Sequence, residues 1–145
     1  MVTYHDGDLL KSGCQMICHQ VNEFGVMGAG IAKQIKAQFP KAYQDYKEFC
    51  NIVGLKHGKV VFSENDGVII ANCFSQIYWQ TEVKLVEEVV KTIIKYCKDN
   101  QIKTVGIPYK YGCGLAGGDW VIVQRVFLKH FENSDINLQI WKYEN

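Results

Sequence analysis

The sequence predicts a three-layer α/β/α sandwich around a mostly parallel, mixed sheet, and three observations predict it. Short apolar runs of strand length alternate with longer runs of helical period along the chain. That alternation builds strand–helix–strand units whose helices cover both faces of a parallel sheet. The runs at 15–21 (QMICHQV) and 103–108 (KTVGIP) are largely apolar, as strands covered on both faces are. Twice, such a strand leads into a glycine-rich loop that opens a helix.

Each element has its own reason. Residues 2–5 form a first short strand and 15–21 a second, followed by a loop over 22–30. From 30 to 39 the period is helical: Ile31, Ile35 and Phe39 recur every four residues, with Lys33, Gln34 and Lys36 outward. Pro40 ends this helix and starts the next, over 41–52, which Gly54 is expected to close. Strands at 59–63 and 68–72 are joined by the turn Glu64-Asn65-Asp66-Gly67. The clearest helix runs from 82 to 98. Val83, Val86, Val90, Ile93 and Cys97 form its apolar stripe, widened by Leu85, Val89 and Ile94. Thr81 is its expected N-cap, and Glu87 and Lys91 make an i,i+4 pair. A buried strand follows at 103–108, a second glycine loop at 111–118, a helix at 119–131 and a last strand at 137–143.

Size and charge narrow the function. At 145 residues, the expectation is one domain with one core, spanning 1–145. Lys and Arg number 16 against 15 Asp and Glu, with no basic run, so no extended nucleic-acid surface is expected. A single nucleotide remains open as a ligand. The six cysteines are widely spaced, without C-x-x-C or zinc-ligand spacing, so neither metal nor cofactor is called for. No signal-like segment and no membrane-length apolar stretch occurs. The expected setting is the reducing cytoplasm, with no membrane contact.

The chemistry concentrates in the two loops. The first reads Gly25-Val26-Met27-Gly28-Ala29-Gly30-Ile31-Ala32, the second Gly112-Cys113-Gly114-Leu115-Ala116-Gly117-Gly118-Asp119-Trp120. Glycine removes the Cβ between backbone and ligand, and a helix N-terminus offers free N–H donors to an anion. Ligands of α/β sheets sit beyond the carboxyl ends of the strands, where both loops fall. Two facing loops would clamp a diphosphate. Familiar phosphate motifs fail: Lys33 stands where a third Rossmann glycine belongs, and no P-loop signature occurs.

Several segments together resemble the macrodomains, in particular the branch holding terminal ADP-ribose protein glycohydrolase and yeast ADP-ribose-1″-phosphate phosphatase. They are Gly7-Asp8-Leu9-Leu10, Ile17-Cys18-His19-Gln20-Val21-Asn22, Met27-Gly28-Ala29-Gly30-Ile31-Ala32, Phe39-Pro40-Lys41-Ala42, and Ile107-Pro108 with Gly112-Cys113-Gly114-Leu115. They occur in family order and span nearly the whole chain. The resemblance implies binding of ADP-ribose or an ADP-ribosylated substrate, and hydrolysis at the terminal ribose. It implies that Asp8 and the Leu9 amide meet adenine, with Trp141 packing on the ring. It implies that Gly28, Ala29, Gly30 and Ile31, with Gly112, Cys113, Gly114, Leu115 and Ala116, wrap the diphosphate and terminal ribose. Asn22 would bond the ribose hydroxyls. Each side-chain role has a structural rival: Asp8 as a turn residue, Asn22 as a loop cap, Trp141 as packing.

Two residues are candidates for activating water. Asp119 follows the second loop, but an Asp there is also a favoured helix N-cap. His19 falls where the phosphatase relative carries a histidine, but it also lies on a buried strand. The chain departs from the glycohydrolase in lacking its lysine within 70–76 and in bearing Ala116 where that enzyme has its aspartate. A lysine adduct is therefore not expected, and Gln76 is a candidate to orient water or to contact the ribose. Cys113 is expected to fill the loop rather than to attack as a nucleophile. The rival to a hydrolase is a non-catalytic reader of ADP-ribose.

Overall fold

The computed structural model describes residues 1–143, and residues 144 and 145 of the expected 1–145 domain lie outside the described residues. Six strands form one sheet. They are β1 (Val2–Asp6), β2 (Met16–Gln20), β3 (Val60–Asn65), β4 (Val68–Cys73), and, later in the chain, Thr104–Pro108 and Asn137–Lys142. A separate hairpin supplies β5 (Gln76–Ile77) and β6 (Gln80–Thr81), so the last two sheet strands are β7 and β8. The sheet order is β1-β8-β7-β2-β4-β3. Every neighbouring pair is parallel except β3 with β4. The helices are α1 (Gly30–Gln38), α2 (Pro40–Cys50), α3 (Val83–Asp99) and α4 (Trp120–Phe131). A 3-10 turn covers Leu9–Lys11.

Side-chain alternation along β2 sorts the two layers. Met16 and Cys18 join the large core with Val89, Val90, Ile93, Val123 and Phe127, under α3 and α4. Ile17 packs on the other face with Ile35 and Ala42, under α1 and α2. Tyr46, Val21, Met27 and Phe74 extend that second face. The sheet is therefore covered on both sides, the three-layer arrangement that the alternating pattern implies.

Several local expectations shift. The helix expected over 41–52 with Gly54 closing it runs from Pro40 to Cys50, with Asn51 as its C-cap, whose N–H donates to Lys47 O and Glu48 O. Thr81 does not cap α3; Glu82 occupies that position and makes no side-chain cap, while Thr81 is used elsewhere. Val83, expected in the buried stripe, is exposed at the first turn. The β5–β6 hairpin was not expected. The β3–β4 turn tightens to two residues, Asp66 and Gly67, both at positive φ.

One glycine fixes how the 3-10 turn docks. A Cβ on Gly106 of β7 would stand 2.6 Å from Leu9 Cδ1 and 3.1 Å from Cys14 Sγ. The bare backbone of β7 lets Leu9 sink against the sheet, which aims Asp8 at the carboxyl end of β8.

Candidate functional site

One cleft crosses the carboxyl ends of the central strands in three overlapping compartments. The first, about 340 Å³, is lined by Asp8, Leu9, Trp141 and Tyr109 together with Gly30 and Ile31. The middle one, about 370 Å³, shares Gly30, Ile31 and Tyr109 with the first and adds Gly112, Gly114, Leu115 and Ala116. The distal one, about 390 Å³, shares Ala29, Leu115 and Ala116 with the middle and adds Asn22, Gly28, Val26 and Trp79. Gln20 and Gln76 line both of the last two. Each compartment lies in the range for a small-molecule site, and their shared walls make an elongated groove.

The two glycine loops stand on opposite walls. The first opens α1 through Ala29, which makes no side-chain cap. The first amides of that helix have no intrahelical acceptors and face the middle compartment at Gly30, Ile31 and Ala32. The second loop folds on its own backbone. Gly118 N–H donates to Gly112 O at 2.9 Å, an approach a Cβ on Gly118 would block at 2.6 Å. Gly112 itself has φ +69.

Side chains that sequence reasoning passed over hold these loops. The Tyr46 hydroxyl, wholly buried, donates to Asn22 O at 2.7 Å and Oδ1 at 2.8 Å and accepts from Val26 N–H at 3.1 Å. Thr81 Oγ1 donates to Gly112 O at 2.6 Å and accepts from Gln20 Nε2 at 2.8 Å. Ser75 Oγ donates to Gln20 Oε1 at 2.6 Å and meets the Tyr111 hydroxyl at 2.7 Å. No motif flags these residues. They share no local signal: Tyr46 lies on a mostly polar helix, Ser75 between β4 and β5, and Thr81 on a two-residue strand, and a single sequence does not distinguish such positions from surface ones.

The proposed ligand residues divide cleanly. Asp8 uses Oδ1 to cap the 3-10 turn, accepting from Leu10 N–H at 2.9 Å, and lines the first compartment. Trp141 lines it too, with one ring face stacked on His5 at 4.8 Å and its Nε1–H donated to Gln139. Asn22 lines the distal compartment, yet its amide serves the loop: Oδ1 accepts from Phe24 N–H at 2.9 Å and Nδ2 donates to Val26 O at 2.7 Å. Cys113 lines none of the three compartments. Its thiol donates to Tyr111 O, and burial with the nearby Asp119 charge raises its pKa, so it is not poised as a thiolate.

Neither expected water activator reaches the cleft. Asp119 is the N-cap of α4, accepting from Val121 N–H at 3.0 Å, and lines none of the three compartments. Its carboxylate answers the free amides of its own helix. His19 is wholly buried beneath α1 and α2, with Nε2–H donated to Asn72 Oδ1 at 2.7 Å and Nδ1 unpartnered among the described residues. Burial lowers its pKa to about 4, so the ring is neutral and serves the core. The polar side chains lining the distal compartment are the amides Gln20, Asn22 and Gln76.

The model of the Macro domain family matches residues 18–127 of the chain, from the strand feeding the first loop to the helix after the second. The chain belongs to the Macro domain family. This macrodomain is similar to the DNA ADP-ribosyl glycohydrolase of Mycobacterium tuberculosis, at 30% identity over 91% of the chain and 39% of that protein. It thus spans about two fifths of the length of that relative. It is also similar to the ADP-ribose 1″-phosphate phosphatase of Candida albicans, at 24% identity over 97% of the chain and 99% of the relative. Among solved structures, the macrodomain of Mycobacterium tuberculosis DarG matches with TM-score 0.89 at 26% identity, covering 97% of each chain. Thermosipho africanus DarTG, solved in complex with ADP-ribose, matches with TM-score 0.83 at 28% identity, covering 97% of this chain and 41% of that one. Among the described residues, no helix is long and apolar enough to cross a membrane, and no His, Cys, Asp and Glu group has metal-site geometry.

Proposed function

We propose that this macrodomain binds ADP-ribose along the cleft and hydrolyses a bond at its terminal ribose. The observation that carries this reading is the pair of backbone cradles on opposite walls of one continuous groove. Asp8, through its second carboxylate oxygen, and the Leu9 amide receive adenine in the first compartment, beside Trp141. The amides of Gly28, Ala29, Gly30 and Ile31 face those of Gly112, Gly114, Leu115 and Ala116 across the diphosphate and terminal ribose. Donors fixed in the backbone suit an anion because they need no reorganisation when it arrives.

The bond cut lies in the distal compartment. Gln76, whose side-chain amide has no hydrogen-bond partner in the protein among the described residues, is the group we assign to orient water there. Candidate substrates are ADP-ribose-1″-phosphate, O-acyl-ADP-ribose and ADP-ribosyl esters. ADP-ribose joined to DNA is added on the strength of the relatives whose names state that activity. Six unbridged cysteines suit a reducing cytoplasm.

A second reading, a non-catalytic reader of ADP-ribose, is favoured by one observation: the distal side chains are amides, with Asp119 and His19 outside the groove. Calorimetric titration with ADP-ribose, followed by product analysis of the four substrates on the same protein, separates the readings. Binding with release of ADP-ribose is expected. Binding without product from any of the four makes the protein a reader, and no binding removes both readings.

A further inference from the structure

The three amide side chains of the distal compartment differ in what their hydrogen bonds leave free. Asn22 spends both ends on its own loop and on Tyr46. Gln76 has no partner among the described residues to decide which end faces the groove. Gln20 is held at both ends: Nε2 donates to Thr81 Oγ1 at 2.8 Å, and Oε1 accepts from Ser75 Oγ at 2.6 Å.

One carbonyl sets the direction of every bond around Gln20. Gly112 O can only accept, so the Thr81 hydroxyl spends its proton there, at 2.6 Å. Thr81 Oγ1 must then accept from Gln20, which turns Nε2 toward Thr81 and Oε1 toward Ser75. Ser75 spends its proton on Oε1 and accepts from the Tyr111 hydroxyl at 2.7 Å. Tyr111 is buried, and burial pushes its phenol well above the ordinary value, so it keeps the proton it donates. A flipped Gln20 amide would set two acceptors, Gly112 O and Gln20 Oε1, against the one proton of Thr81. The chain of bonds therefore runs one way, from Tyr111 through Ser75, Gln20 and Thr81 to the second glycine loop. Among the described residues, one Nε2 proton of Gln20 is left unspent.

The fold makes room for this amide. Gln20 is the last residue of β2 and the half-buried one of that strand. A Cβ on Gly112 would stand 2.9 Å from Thr81 Oγ1 and 3.0 Å from Gln20 Oε1. The bare Gly112 backbone thus lets hydroxyl and amide close beneath the loop. Thr81 N–H also donates to Ala116 O at 3.0 Å, so one residue clips the loop at two carbonyls. Gln20 lines the middle and distal compartments at once. Its spare N–H is a donor of fixed orientation at the place where they meet.

We propose that Gln20 is a specificity-determining residue whose spare Nε2–H donates to a ligand oxygen where the diphosphate joins the terminal ribose. This assignment rests on the ADP-ribose reading of the cleft. A donor held in place by its own hydrogen bonds needs no reorganisation when the acceptor arrives. It accepts an oxygen with a lone pair and refuses a group that only donates. The amide thus reads the ligand beyond its first phosphate: ADP-ribose reaches it, and AMP, which ends at that phosphate, does not.

Side-chain amide resonances of the full chain, labelled with nitrogen-15, test this. The Gln20 signals are assigned by their loss in Gln20→Met, which keeps the length of the side chain and removes the amide. In the free protein the two Nε2 protons should be well separated, because Thr81 holds one of them. On titration with ADP-ribose the spare proton should shift, and the Thr81-bound one much less; AMP should move neither. By calorimetry, Gln20→Met should lower ADP-ribose affinity about tenfold and leave AMP affinity within about twofold. An amide that only supports the loop would weaken binding without its own signals responding. Gln20 signals that stay still while the backbone amides of Gly30 and Gly114 move therefore overturn the proposal and leave the cleft reading standing. Equal losses for AMP and ADP-ribose in Gln20→Met overturn it too. Backbone amides that also stay still are a different failure, that of the ADP-ribose reading itself, and the proposal falls with it.

Discussion

The two glycine loops look alike in sequence and differ in what they leave free. The first ends at Ala29, which gives α1 no side-chain cap, so the opening amides of that helix remain available beside the cleft. The second ends at Asp119, whose carboxylate binds Val121 N–H and closes α4 on itself. In the proposed binding mode, anion recognition therefore comes from a helix end on one wall and from irregular loop backbone on the other. A carboxylate near a glycine loop is not thereby a catalyst: the unsatisfied amides of a new helix attract it first.

The largest expected effect concerns β2, the strand that feeds the first loop. His19 there has its pKa lowered to about 4 by burial, against about 6.5 in an unfolded chain. As pH falls, the unfolded chain binds the proton first. Stability is therefore full above about pH 6.5 and declines down to about pH 4, by about 3 kcal/mol in total. Urea unfolding across that window should show the decline, and His19→Gln should flatten it. An equally steep curve in the variant would assign the acid sensitivity elsewhere.

Making the first loop resemble the second comes next. Ala29→Asp places a carboxylate at the bare cap of α1. It should lower ADP-ribose affinity about a hundredfold, since several charge-assisted hydrogen bonds are contested. The same change should raise thermal stability by about 1 kcal/mol through capping. Calorimetry and melting on one preparation read both, and opposite signs are the signature. Retained affinity would mean that α1 does not hold the anion.

Loosening the second loop is milder. Thr81→Val removes the donor to Gly112 O and the acceptor for Gln20 Nε2. ADP-ribose affinity should fall about tenfold, with about 1 kcal/mol of stability. An unchanged binding isotherm would free the loop from this support.

The smallest effect is at Asp119. Asp119→Ala should cost about 1 kcal/mol of stability as a lost cap and leave turnover of bound substrate within about twofold. A tenfold or larger drop in kcat would return Asp119 to the chemistry.

Much of the architecture was legible because it depends on local pattern. The apolar run of β2, the heptad-like stripe of α3 and the Asp66-Gly67 turn each carry their signal within a few residues. The β5–β6 hairpin was not, because Tyr78 and Trp79 are not turn formers and its strands are two residues long. The lining of the cleft was largely legible through glycine. The division of labour among polar side chains was not, since it depends on partners far apart in sequence. Asn22 is spoken for by Tyr46, 24 residues on, and Gln20 by Thr81, 61 residues on. His19 shows the same limit: its residue type suits acid–base work, while its neighbour Asn72, on the adjacent strand, makes it part of the core.

The central claim is that both loops grip one anion at once. Backbone amide chemical shifts followed during an ADP-ribose titration test it directly. The amides of Gly30 and Ile31 on one wall and of Gly114 and Leu115 on the other should move together, with a single shared midpoint. Movement confined to one loop, or two different midpoints, would contradict it.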